Sequence, residues 1–128
     1  MKEIKAYTRA HMLDQVIDAL VTIPGMPGIA VVYLRAYGHA TDAGGLVRID
    51  MAKLQIDVSD ALAKRVVKAV VAHARTGNGY PGDGRISVYG LDRAVRIADG
   101  NHDPDMRGTM SPDDIRQWTS LGLICAPS

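Results

Sequence analysis

Hydrophobic and polar positions alternate over residues 2–7, with Ile4 and Ala6 on one side and Lys5 and Tyr7 on the other. A period of two predicts a strand with one buried face. From His11 the period lengthens. Leu13, Val16, Ile17 and Leu20 stand at i, i+3, i+4 and i+7, one face of a helix, with Asp14, Gln15 and Asp18 opposite. Pro24-Gly25-Met26-Pro27-Gly28 cannot continue that helix. Residues 29–37 are rich in β-branched and aromatic side chains and predict a second strand. Residues 38–50 hold Gly38, Gly44 and Gly45 among mostly polar neighbours and read as a flexible loop. Alternation returns at Met51: Leu54, Ile56 and Val58 oppose Lys53, Gln55 and Asp57, a third strand with one wet face. Ser59 or Asp60 is placed to cap a second helix. Its apolar stripe runs through Leu62, Val66, Ala69 and Val70, and its wet side carries Lys64, Arg65 and Lys68. Residues 86–90 predict a fourth strand, and Val95 with Ile97 a short fifth.

The order β-α-β-β-α-β is that of an α+β, ferredoxin-like sandwich, with both helices on one face of the sheet. The second strand is apolar on both sides: Ile29, Val31 and Tyr33 on one, Ala30, Val32 and Leu34 on the other. A strand of that kind is covered twice, so copies of the chain are expected to associate sheet inwards.

After Gly100 the character changes. This divides the chain into a domain over residues 1–100 and a C-terminal extension over residues 101–128. Within the extension, Ser111-Pro112-Asp113-Asp114 is a helix start: a capping serine, proline at the first position and acids in the first turn. Ile115, Trp118 and Leu121 to Ile124 supply an apolar patch. The tail is expected to pack near the site described next.

The 128 residues fit one domain, and 47% are apolar. There is no Phe, so the core is aliphatic. A net charge of +1 with few aromatics gives no footprint for nucleic acid. No apolar run is long enough to span a membrane, and no signal peptide opens the chain. The lone Cys125 rules out an intrachain disulfide and leans towards a cytoplasmic setting.

The richest stretch is Arg75 to Val88, where four glycines and a proline join the second helix to the fourth strand. Gly82-Asp83-Gly84 runs into Arg85. Glycines let the backbone approach a ligand and adopt positive φ. Successive amides in such a turn suit an anion, and a guanidinium matches phosphate oxygens. The same residues also suit a plain turn with a solvated arginine, and the sequence leaves both readings open.

Two sets of residues carry a resemblance. One is Lys2-Glu3-Ile4-Lys5-Ala6-Tyr7 followed by His11-Met12-Leu13-Asp14. The other is Arg65-Val66-Val67-Lys68-Ala69-Val70-Val71, Ala74-Arg75-Thr76-Gly77, Gly82-Asp83-Gly84-Arg85-Ile86 and Leu91-Asp92-Arg93-Ala94-Val95-Arg96-Ile97. Together they resemble the PII nitrogen-regulator superfamily, as a divergent branch, over roughly residues 1–100. The resemblance implies homotrimers of ferredoxin-like subunits. Adenine nucleotides bind between subunits and reshape a long loop that docks on a transporter, enzyme or regulator. It implies that Gly82, Asp83, Gly84 and Arg85 wrap the phosphates, that Arg96 reaches phosphate across the cleft, and that Gly38 lies near the ligand at the base of the loop. It implies a signalling protein rather than an enzyme.

The chain departs from the family pattern in several places. The loop before Gly82 is about two residues longer, with Tyr80-Pro81 inserted. Ser87 replaces an aromatic residue, and Ala98 stands where a second arginine is expected, which favours ADP or AMP over ATP. Ala40 and Met51 replace the glutamine and lysine used with 2-oxoglutarate, and residues 38–50 hold no tyrosine for uridylylation. Divergent relatives are linked to bicarbonate handling or metal efflux, so a membrane transporter is the expected partner and bicarbonate a candidate second ligand. His39, Arg35, Arg48 and Lys53 lie around the loop as candidate contacts for a small anion or partner. A CutA-like metal-tolerance protein is the alternative, with His39 and His102 as test positions, although the four histidines show no metal spacing. A nucleotide phosphohydrolase ranks last, since no base and nucleophile are organised.

Overall fold

The computed structural model describes residues 1–41, 44–101 and 111–125, with the side chains of Ala40 and Thr41 left aside. Strand β1 (Lys2–Arg9) leads through a single 3₁₀ turn (Ala10–Met12) into helix α1 (Leu13–Leu20). Strands β2 (Ala30–Thr41) and β3 (Gly44–Val58) follow, then helix α2 (Asp60–Ala74), a 3₁₀ turn (Pro81–Asp83), strand β4 (Gly84–Gly90) and helix α3 (Pro112–Ser120). The sheet order is β2-β3-β1-β4, and every neighbouring pair is antiparallel. This is the ferredoxin-like α+β arrangement.

Register decides which side chains share a face. Ile4 pairs with Ile56 and Val88, Ala6 with Leu54 and Ile86, and Leu54 with Val31. These positions face the helices. Leu13, Val16 and Leu20 of α1 and Ala63, Val66, Val70 and Ala74 of α2 complete one aliphatic core. The two helices pack against each other as well as on the sheet. Thr8 is the buried polar residue among the described ones.

Among the described residues no layer covers the opposite face. It carries Glu3, Lys5, Tyr7 and Arg9 of β1 beside Asp57, Gln55, Lys53 and Met51 of β3, and Val32 and Leu34 of β2. Val32 is 53% exposed and Tyr89 of β4 is 49% exposed. Asp57 pairs with Glu3, and its Oδ1 is buried without a hydrogen-bond partner. Burial, then the neighbouring Glu3 charge, raises the Asp57 carboxyl above its ordinary pKa.

Three expectations are corrected. Residues 38–41 and 44–50 are not irregular loop, because β2 and β3 extend into them and pair from Gly38↔Val47 to Thr41↔Gly44. Alternating Tyr37, His39, Leu46 and Arg48 satisfies a two-stranded ladder despite the glycines, and Gly44 (φ 109°) and Gly45 (φ 86°) bend its end. Ser59 occupies the cap of α2 with its backbone alone, its carbonyl accepting from Leu62 and Ala63. Asp60 instead meets the terminal ammonium of Met1 at 3.0 Å. The fifth strand reduces to a single bridge at Val95 before a turn.

In α3, Ser111 accepts from the Asp114 amide and the Asp114 carboxylate accepts from the Ser111 amide, a reciprocal capping box. No residue of α3 is buried. No helix is long and apolar enough to cross a membrane among the described residues.

Candidate functional site

The loop between α2 and β4 is closed on itself by one carboxylate. Asp83 accepts from the Thr76 amide at 3.1 Å, from the Thr76 hydroxyl, and from the Tyr80 amide at 2.8 Å. Its own amide donates to the Tyr80 carbonyl at 3.0 Å. Gly79 donates to the Thr76 carbonyl at 2.9 Å. The glycines make this winding affordable: Gly77 and Gly79 have φ of 57° and 103°. From β1, Arg9 Nε donates to the Gly82 carbonyl at 3.1 Å and stands 3.6 Å from Asp83 Oδ1.

The Thr76 hydroxyl foremost, then the Tyr80 amide, holds the Asp83 carboxyl at about 2, against an ordinary 3.8. A depressed folded-state pKa contributes stability that is complete above the unfolded value and lost as pH falls towards the folded one. Asp83→Asn is therefore expected to flatten the decline in stability between about pH 4 and about pH 2. Acid-dependent urea unfolding of variant and parent checks this, and identical slopes would refute it.

Gly84 begins β4 with φ 120° and ψ −163°. A Cβ there would lie 1.8 Å from the Tyr7 carbonyl oxygen, so β1 and the loop meet where only glycine fits. Arg85 follows, paired with Tyr7, its guanidinium 5.2 Å from the centre of the Tyr7 ring. These pieces line a concavity of about 700 Å³ between the C-terminal half of α2, the loop, and the ends of β1 and β4. Val67, Val70, Val71 and Ala74 give it an aliphatic wall; Arg75, Asp83, Gly84 and Arg85 give it a polar one. Among the described residues neither Arg75 nor Arg85 joins an ion pair. The amides of Thr76, Gly79, Tyr80 and Asp83 already have partners inside the loop.

The other sequence-derived positions lie elsewhere. Gly82 sits beside the lining, held by Arg9. Gly38 is in the hairpin, paired with Val47, outside the concavity. Arg96 holds Asp99 at 3.0 Å in a turn beyond β4 and also lies outside it. Arg35, His39 and Arg48 share one face of the hairpin through the pairs Arg35↔Asp50, Tyr37↔Arg48 and His39↔Leu46. Lys53 pairs with Val32 and Tyr7, which places it on the opposite face. Arg48 stands 4.0 Å from Asp50. Arg35 and Asp50 border a shallower depression of about 640 Å³ with Tyr33 and Tyr37.

A family model described as nitrogen regulatory protein P-II matches residues 1–101. The chain belongs to the P-II family. It is 34% identical to a nitrogen regulatory protein P-II of Rhizobium etli over 113 residues, covering 82% of this chain and 98% of the relative. It is 37% identical to nitrogen regulatory protein P-II 2 of Methanothermobacter thermautotrophicus over 108 residues, covering 78% of this chain and 91% of the relative. A Rhodospirillum rubrum P-II protein is 33% identical over 113 residues, with coverage of 82% and 98%. The P-II match ends where the polar extension begins, so α3 lies outside it.

For this P-II family member, residue-level reading missed Arg9 and Tyr7 as parts of the site. Arg9 braces Gly82 from 73 positions away, and no local pattern announces such a contact. Thr76 was visible as a loop residue, but its bond to Asp83 was not. A threonine seven positions before an aspartate, across glycines, is the weak signal available. Among the described residues no three His, Cys, Asp or Glu side chains converge as a metal site. His102 lies outside the described residues.

Proposed function

We propose that the chain is a P-II signalling protein that binds an adenine nucleotide, ADP or AMP in preference to ATP, in clefts completed by neighbouring copies of a homotrimer. The observation that carries this reading is the concavity at the end of α2, bordered by the Asp83-locked loop, by Gly84 and Arg85 and by the valines of α2. Its size suits a nucleotide, its guanidinium groups suit phosphate, and its valines suit a base. Arg96 serves as an arm from the adjoining copy, exchanging its Asp99 partner for phosphate. One such arm, with Ala98 after it, is the reason for preferring fewer phosphates.

Self-association is supported by the open sheet face. Exposed Val32 and Tyr89 and the unpartnered Asp57 oxygen suit a surface that further copies cover. Occupancy of the cleft is read by a regulated partner through the β2–β3 hairpin, with Arg35, His39 and Arg48 on the face presented. A membrane transporter is the proposed partner, bicarbonate the proposed second ligand, and the cytoplasm the proposed setting. Isothermal titration of the purified chain with AMP, ADP and ATP tests the reading. Saturable heat, tighter for ADP or AMP than for ATP, is expected; no heat from any of the three would refute it.

A further inference from the structure

Helix α3 lies beyond the P-II match and has no place in the reading given so far. It has nine residues, too few to hold a helix in water without a packing partner. Yet none of its residues is buried. Asp114, Trp118 and Leu121 stand at i, i+4 and i+7 with Ile115 beside them, so one side is apolar and carries a carboxylate at its N-terminal end. Trp118, the chain's one tryptophan, is 44% exposed, and Leu121 is 63% exposed. A bilayer surface is a poor match for this side. Helices that lie on membranes carry Lys and Arg on their polar face, whereas the one basic residue of α3, Arg116, is paired with Asp113.

Charge points to the chain's own domain instead. Residues 101–128 hold four aspartates against two arginines, while residues 1–100 hold thirteen lysines and arginines against ten acids. The basic side of α2 has the matching form. α2 packs chiefly on α1, β1 and β3, and Lys64, Lys68 and Val71 stand at i, i+4 and i+7 on its outward side, all three exposed. This side of α2 and the apolar side of α3 are open in the same chain, so the pairing is not made within it. We infer that α3 of one copy packs Trp118 and Leu121 along the Lys64–Lys68–Val71 side of α2 in a neighbouring copy, with Asp114 facing the lysines. This rests on the self-association read from the open sheet face and gives the C-terminal extension its place in the assembly. Val71 also lines the concavity, so the docked helix stands beside the cleft.

Trp118 fluorescence tests it, because all tryptophan emission comes from α3. The full chain is expected to emit to the blue of the same chain unfolded in urea. Lys64→Glu with Lys68→Glu should shift the emission towards the unfolded value, and Lys64→Gln with Lys68→Gln should shift it the same way by less. Both lysines are exposed and neither lines the concavity, so circular dichroism and sedimentation should match the parent. Refolding the Lys64→Glu, Lys68→Glu copies with an excess of Trp118→Phe copies separates neighbour from self. The Trp118→Phe copies emit no tryptophan light and keep both lysines, so the blue emission should return. Emission that ignores both lysine pairs would overturn the inference. So would a shift that mixing does not reverse, which would place α3 on its own chain. A parent that sediments as a monomer would remove self-association and this docking with it, whereas an oligomeric parent whose Trp118 ignores the lysines removes the docking alone.

Discussion

Gly84→Ala should destabilise the protein by about 3–5 kcal/mol, in the range reserved for backbone strain and forced displacement. Two effects add. The φ of 120° lies where a Cβ is strained whatever space surrounds it. The added carbon would also lie 1.8 Å from the Tyr7 carbonyl oxygen, which is backbone in the central strand β1. β4 must then separate from β1 at its first pair, Thr8↔Gly84, and the loop loses its anchor. Gly82→Ala is the control. There the new carbon's one close contact is Arg9 Nη2 at 2.7 Å, the end of a side chain that can swing away, with Ile49 Cδ1 at an ordinary 3.8 Å, and the cost should stay below about 1.5 kcal/mol. Urea unfolding of both variants checks the contrast. A loss in Gly84→Ala no larger than in Gly82→Ala would contradict it.

Arg85→Ala should weaken ADP binding by about 1.5–3 kcal/mol, the usual worth of a hydrogen bond to a charged group. The side chain is exposed, and its one described interaction is the contact with the Tyr7 ring. Stability should therefore fall by no more than about 1 kcal/mol, which separates the binding effect from misfolding. Arg85→Lys keeps the charge but not the planar fork, so partial recovery is expected. Titration calorimetry paired with thermal unfolding measures both quantities. Unchanged affinity in Arg85→Ala would remove Arg85 from the site.

The elements with a clean period were legible before any coordinates. Ile4 and Ala6 alternate, Leu13, Val16 and Leu20 recur at helical spacing, and all five are buried. Their pattern is set by one interface, so local sequence carries it. The hairpin was not legible, because glycines and charges at residues 38–50 look like loop. Its strands are held by each other rather than by the core, so the hydrophobic signal is missing there.

At the candidate site, the glycine run drew attention to Gly84 and Arg85, and the structure supplies the reason for the glycine in the Tyr7 carbonyl. Asp83 was read as a phosphate contact. Its carboxylate is spent on Thr76 and Tyr80, which makes it the residue that sets the loop's shape. Sequence shows that a carboxylate is present, and only the fold shows which amides it faces. Arg96 and Gly38 lie outside the concavity in one chain, and their expected place beside the ligand supposes a second copy. The family resemblance, rather than the spacing of residues, carried that expectation.

The most direct test of nucleotide binding between copies is a crystal structure of the purified chain grown with ADP. Phosphates against Arg85, and Arg96 reaching in from an adjoining subunit, are the predicted result. Density for ADP elsewhere, or an empty cleft in a protein that crystallises and sediments as a monomer, would contradict the account.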